Sequence, residues 1–211
     1  LKMKKILIYV ICMLISLPAI LAQKTEKEFA SYGAGIGISP FGFGLNLTHN
    51  FNSKTSLNLG IGGAPETDVP DGFIPDDNAL GDVEMWKSTS SWMGMFLTHR
   101  PFDNANWFCV NFGLGIGSIE NDLEIHSDDG THEEYSADYN ENPVGYLGFA
   151  ARTGNVKGIQ FGFELGYLYT SGGEVMPVHG TSDNHERMDA IEDNLVPSLL
   201  PNIQLTISYG F

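Results

Sequence analysis

The stretch Asn202-Ile203-Gln204-Leu205-Thr206-Ile207-Ser208-Tyr209-Gly210-Phe211 decides the fold. Ile203, Leu205, Ile207, Tyr209 and Phe211 share one face, while Asn202, Gln204, Thr206, Ser208 and Gly210 share the other. A period of two is that of a β-strand, and here the split is apolar or aromatic against small or polar. Residues 159–169 repeat it, with Ile159, Phe161, Phe163, Leu165, Tyr167 and Tyr169 opposed to Gln160, Gly162, Glu164, Gly166 and Leu168. Each segment runs about ten to twelve residues, the length a tilted strand needs to cross a bilayer.

Working backwards, Phe108, Val110, Phe112, Leu114 and Ile116 alternate with Trp107, Cys109, Asn111, Gly113 and Gly115, and 144–152 carries Leu147 and Phe149 among glycine and alanine. Nearer the start, Tyr32–Ile38, Phe43–Thr48 and Leu57–Gly62 alternate in the same way, the first two separated by a Ser39-Pro40 turn. Ser91–His99 is an eighth strand whose register stays open, because Trp92 and Phe96 compete with Met93, Met95 and Leu97 for the apolar face. With the N-terminus inside, the inner connections 51–54, 100–106 and 152–157 are short. Three of the four outer ones (64–87, 118–142 and 171–199, but not 39–41) are long. Short turns on one side and long loops on the other are the layout of an up-and-down transmembrane barrel.

Charge sorts along the same axis. The net charge is -15, and the three long loops hold seven, nine and six of the 26 acidic residues. Lys54, Arg100, Arg152 and Lys157 mark the inner turns, leaving Lys87 and Arg187 in the loops. No basic cluster could grip phosphates, so nucleic acid is excluded as a partner.

Residues 1–22 read as an export signal: Lys2, Lys4 and Lys5, an apolar run Ile6–Leu17, then Ala22 before a polar stretch. Cleavage there leaves a short periplasmic segment, 23–30, and a barrel domain, 31–211. Cys12 lies too deep in the apolar run to be a lipoprotein site, and its loss leaves Cys109 as the single thiol, so no internal disulfide is expected.

The terminal Ile207-Ser208-Tyr209-Gly210-Phe211 resembles the aromatic last strand of outer-membrane barrel proteins, and Tyr209 and Phe211 would then form the membrane-insertion signal. With the export signal and loop layout, the chain resembles the small outer-membrane barrel superfamily of A, X and W types, the porin-like outer membrane protein β-barrel domain. The resemblance implies an all-β, antiparallel up-and-down barrel of about eight strands in the cell outer membrane. It also implies contact with outer-membrane lipid, lipopolysaccharide and the barrel-assembly machinery. The peptidoglycan-binding domain of A-type proteins is not expected after Phe211. Patterns of residue class support a fold better than a function.

With apolar faces to lipid, the lumen is lined by glycines and by Asn46, Asn58, Asn111, Glu164 and Gln204. An eight-stranded barrel has just enough interior for side chains to fill. The glycines leave room for a narrow passage unless Trp107, Tyr146 or Trp92 folds inward. Glu164 has no Lys or Arg at comparable depth, so it should bond to a group such as Tyr146 or take up a proton. Of the loop residues, His126, Asp128, Asp129, His132 and Glu133 offer divalent-cation ligands without the calcium-loop spacing. His185 and Asp189 share a face of a helix expected to start at Ser182 and Asp183, with Met188, Ile191 and Leu195 at helical spacing.

Catalysis is not expected, and neither is a resident cofactor. The neighbours His126 and Ser127 would point to opposite faces of a strand, and the His-x-Ser spacing of lipid A deacylases is absent. The reading is a non-enzymatic surface or barrier protein, with a small-solute conduit and a soluble periplasmic ligand-binding barrel as alternatives. Tyr167, Tyr169 and Tyr209 fall near strand ends, where interfacial aromatic girdles belong.

Overall fold

The computed structural model describes residues 28–70, 80, 82–126, 131–139, 143–178 and 184–211. The expected export signal, Cys12, Ser127, Asp128, Asp129, Ser182 and Asp183 lie outside them. The elements are β1 (Tyr32–Ser39), β2 (Gly42–Asn50), β3 (Thr55–Asp68), β4 (Asp82–His99), β5 (Phe108–His126), β6 (His132–Asp138), β7 (Val144–Arg152), β8 (Gly158–Tyr169), β9 (Glu174–Pro177), α1 (His185–Leu195) and β10 (Leu199–Gly210). Eight of the strands form the expected closed antiparallel ring, in the order β1-β2-β3-β4-β5-β7-β8-β10 and back to β1. The seam runs from Gly33 opposite Gly210 to Ile38 opposite Leu205. At its inner end the Phe211 N–H donates to the Tyr32 carbonyl at 2.9 Å, and the Tyr32 N–H donates to Phe211 at 3.2 Å. Closure of this kind is what lets a sheet stand in lipid with every ladder group paired.

The wall is apolar outside and polar inside. Leu45, Leu47, Phe43, Leu114 and Tyr169 are each more than 60% exposed, while Ser56, Asn58, Thr98, Asn111, Glu164 and Asn202 are buried. The register left open at β4 is settled: Met93, Met95 and Leu97 face outward, and Trp92 and Phe96 point into the lumen. A ring of aromatics marks the inner rim, where Tyr32 stacks on Phe211 and Trp107 and Phe102 flank Phe108. Tyr167 and Tyr169 stand at the outer end of β8. The tight outer turn between β1 and β2 depends on Gly42, whose φ of +90° suits glycine and whose Cβ would collide with the Gly63 carbonyl.

The long acidic connections are largely built structure, contrary to the expectation of simple loops. β3 and β4 pair outward as far as Asp68 opposite Lys87, and β4 and β5 continue to Asp82 opposite His126. β4 and β5 thus run 18 and 19 residues, well beyond the bilayer. β6 pairs with the outer half of β5, and β9 with β6. α1 starts later than Ser182 and Asp183 suggested: Asn184 is its N-cap, and its side chain accepts the Arg187 N–H at 3.2 Å. Ile191 and Leu195 are buried as their spacing required, with Met188 packed against them. These outer elements enclose a hydrophobic cluster built on Leu80, Leu123, Ile125, Tyr135, Ile191 and Val196. The chain therefore has a lipid-facing barrel below and a folded cap above.

The belt makes a depth-dependent prediction. Leu205→Arg, in the middle of β10, is expected to destabilise the barrel by about 2–4 kcal/mol, and Leu199→Arg at its outer end by about 1 kcal/mol or less. Reversible denaturant unfolding in lipid vesicles measures both; equal costs at the two depths would contradict the membrane placement.

Candidate functional site

The lumen is occupied by three inward aromatic side chains lying over glycine. A methyl on Gly44 or Gly62 would stand 2.7 Å from the Trp92 ring, and one on Gly60 2.9 Å from it. Phe96 covers Gly94 and Gly113 in the same way, and the Tyr146 hydroxyl covers Gly148 and Gly166. Cross-strand register explains the pairing, because Phe96 and Tyr146 flank Gly113 on neighbouring strands. Their rings meet edge to face over it, with centroids 5.6 Å apart. Tyr146 and Trp92 therefore fill the volume that the glycines free, whereas Trp107 stays on the outside at the inner rim.

Beneath the aromatics sits a polar layer. Glu164 is 4% exposed, and its Oε2 accepts from Arg152 Nη2 at 2.5 Å. This corrects the expectation that no cation lies near it. Arg152 starts two residues lower, opposite Gly162, and its stem climbs over that glycine to reach the carboxylate. The Tyr146 hydroxyl faces Glu164 as well and accepts from Asn202 Nδ2 at 3.4 Å. Asn58 donates to Thr98 Oγ1 at 2.9 Å and accepts from Thr48 Oγ1 at 2.7 Å, binding β2, β3 and β4 across the interior. Gln204 lies opposite Glu164 in the register and bonds to Thr206. Asn111 is buried, and Asn46 lines the interior opposite Gly60.

Cavities lie on both sides of this layer. Above it is a cavity of about 130 Å³, walled by Trp92, Phe96, Tyr146, Leu168 and Leu200 and floored by Arg152 and Glu164. Below it is a polar cavity of about 30 Å³ that shares Asn46, Asn58, Arg152 and Thr206 with the upper one. The inner mouth is crossed by chain: Phe29 bridges Val156, and the Ala30 N–H donates to Asn155. Asn155 in turn donates to Asn52 and Ser56, while Arg100 donates to the carbonyls of Asn106 and Thr153. Cys109 is buried as a free thiol.

The cap carries the remaining predicted residues. Glu133 points inward and pairs with Arg187 at 3.2 Å, both groups about nine-tenths buried, with the Tyr135 hydroxyl donating to the same carboxylate. This pair ties α1 to β6. Tyr139 donates to the Pro197 carbonyl at 2.8 Å, and burial pushes its phenol well above the ordinary range. His185 opens α1 and Asp189 follows one turn later. His126 and His132 meet across β5 and β6 with ring centroids 5.2 Å apart, and Glu84, which sequence reasoning did not single out, joins them from β4.

No protein-family model matches the chain, and no curated protein matches it in sequence. Among solved structures the fold is similar to CarO of Acinetobacter baumannii, with a TM-score of 0.63 at 18% identity over 85% of this chain and 97% of that one. It is also similar to CarO2 of Acinetobacter baumannii, with a TM-score of 0.59 at 14% identity over 87% and 100%. An eight-stranded ring with an outward apolar belt, aromatic rims, short turns inside and long extensions outside is an outer-membrane barrel. The outer membrane is therefore its location, and the belt is incompatible with a soluble periplasmic barrel.

The ion pair under the aromatics yields a test. Glu164→Gln leaves Arg152 uncompensated and is expected to cost about 3–5 kcal/mol, whereas the double change with Arg152→Met recovers much of that loss. Denaturant midpoints of the two variants in detergent check it, and a double variant as unstable as the single one would contradict the pairing.

Proposed function

We propose that this chain is a non-enzymatic outer-membrane protein with a closed lumen, whose work is done by its acidic cap at the cell surface. The observation that carries the reading is the lumen itself, crossed by the Arg152–Glu164 layer and narrowed above it by Trp92, Phe96 and Tyr146. A conduit needs a continuous water path, and side chains fill an interior of this strand number. The cap adds the second half of the argument. Loops that merely link strands have no need of a hydrophobic core, yet these segments enclose Leu123, Ile125, Tyr135 and Ile191 and present carboxylates outward. A rigid surface with one sign of charge suits recognition of cationic partners, or a barrier to anionic ones, in a membrane whose lipid and lipopolysaccharide surround the belt.

The second reading, a conduit for small solutes, draws on the 130 Å³ outer cavity, which would be its vestibule. Planar-bilayer recording separates the two. The wild-type chain is expected to give no steady conductance, and Arg152→Ala with Glu164→Ala, which removes the floor between the cavities, is expected to give measurable channel steps. Steady conductance from the wild-type chain would favour the conduit.

A further inference from the structure

Three adjacent strands converge at the outer tip of the cap. His126 near the end of β5 stands directly opposite His132 at the start of β6. Glu84 lies on β4 where the β4–β5 register shifts between Val83 and Met85, and a bulge of this kind re-aims a side chain. Its Oε2 is 3.1 Å from His126 Nδ1, and one ligand atom from each of Glu84, His126 and His132 lies within 4.8 Å of the others. We propose that Glu84, His126 and His132 form a binding site for a divalent transition-metal ion of the zinc class, one ion per chain.

The donor set argues for that class of ion. Two imidazoles and one carboxylate are the protein ligands of a zinc site that keeps a fourth position open, whereas oxygen-only sets select calcium or magnesium. The geometry needs little change. Bonds of about 2.0–2.2 Å around a tetrahedral ion place ligand atoms about 3.4 Å apart. The Glu84–His126 edge is already near that value, and the third ligand closes by side-chain rotation, since these groups are partly exposed. The backbone beneath is fixed, because Leu123, Ile125 and Tyr135 on the opposite faces of the same strands anchor the cap core.

Electrostatics point the same way. Asp122, Glu124 and Glu134 share the outward face of β5 and β6 with the two histidines, and Glu134 Oε1 is 3.6 Å from His132 Nε2. Carboxylates gathered this closely repel one another, and a bound cation relieves that repulsion. Glu133 belongs to the buried pair with Arg187 and lies outside the site. A bound ion would cross-link β4, β5 and β6 and stiffen the tip independently of whether the lumen conducts.

The test uses the tag-free full chain, folded in detergent, titrated with zinc by calorimetry and with cobalt by visible absorption. Heat-modifiable gel mobility first establishes that each variant is folded. Expected are one saturable zinc site per chain and tetrahedral-type cobalt bands in the wild-type protein. Loss of a partner that only supports a ligand typically weakens metal binding by about 10–100-fold, so His126→Ala and His132→Ala are each expected to weaken zinc binding at least about tenfold. Glu84→Gln should weaken it too, and His185→Ala should leave it unchanged. Absence of saturable zinc binding, equal binding by the His126→Ala/His132→Ala double variant, or displacement of zinc by equimolar calcium would each overturn the proposal.

Discussion

Inside a bilayer there is no water to satisfy a backbone amide, so the sheet must close, and the rest of this structure follows from how it closes. Eight strands bring β10 back to β1 at the Tyr32–Phe211 rung. That small ring leaves an interior only a few side chains wide. Large inward residues fit only where their neighbours have none, and this is the role of the glycines opposite Trp92, Phe96 and Tyr146. The rings in turn cover glycine backbone that would otherwise be bare, an arrangement that stiffens and curves strands rich in glycine. The same narrowness makes a central carboxylate tolerable only with a partner, and Arg152 supplies it.

β5 shows one strand serving two solvents. Its even-numbered residues face out along the whole length, as Phe112, Leu114 and Ile116 against lipid and then as Glu120, Asp122 and Glu124 against water. Its odd-numbered residues face in, from Cys109, Asn111 and Gly113 beside the lumen to Leu123 and Ile125 in the cap core. The parity never changes, but the polarity of each face inverts where the strand leaves the membrane. A period-two rule keyed to apolar residues sees such a strand end at the inversion. That is why the eight spanning segments were legible in the sequence while the outer halves of β3, β4 and β5 passed for acidic loop.

The site divides in a similar way. Inward Asn58, Asn111, Glu164 and Gln204 followed from alternation alone, since the strand fixes their face. The partner of Glu164 did not, because alternation places Arg152 at the inner turn and says nothing of how far its flexible stem reaches over Gly162. Nor did Glu84, which stands 42 positions before His126 in the chain and meets it only through the β4–β5 register. The helix offered a stronger local signal, and its cap is Asn184, whose side chain satisfies the Arg187 amide.

Barrel and cap are held by different forces, and this bears on what the molecule can do. The wall relies on backbone pairing and lipid contact, with polar groups buried in its interior; the cap relies on an apolar core and the buried Glu133–Arg187 pair. Acidic charge is concentrated on one side of the polar layer, where the long outer segments carry most of the 26 acidic residues. A field of that sign gathers cations at the surface, and an open lumen beneath it would pass them inward. Under the proposed function, a lumen closed at Arg152 and Glu164 keeps the gathered cations at the cap, and the acidic exterior then serves as a surface for holding ligands and not as the entrance to a channel.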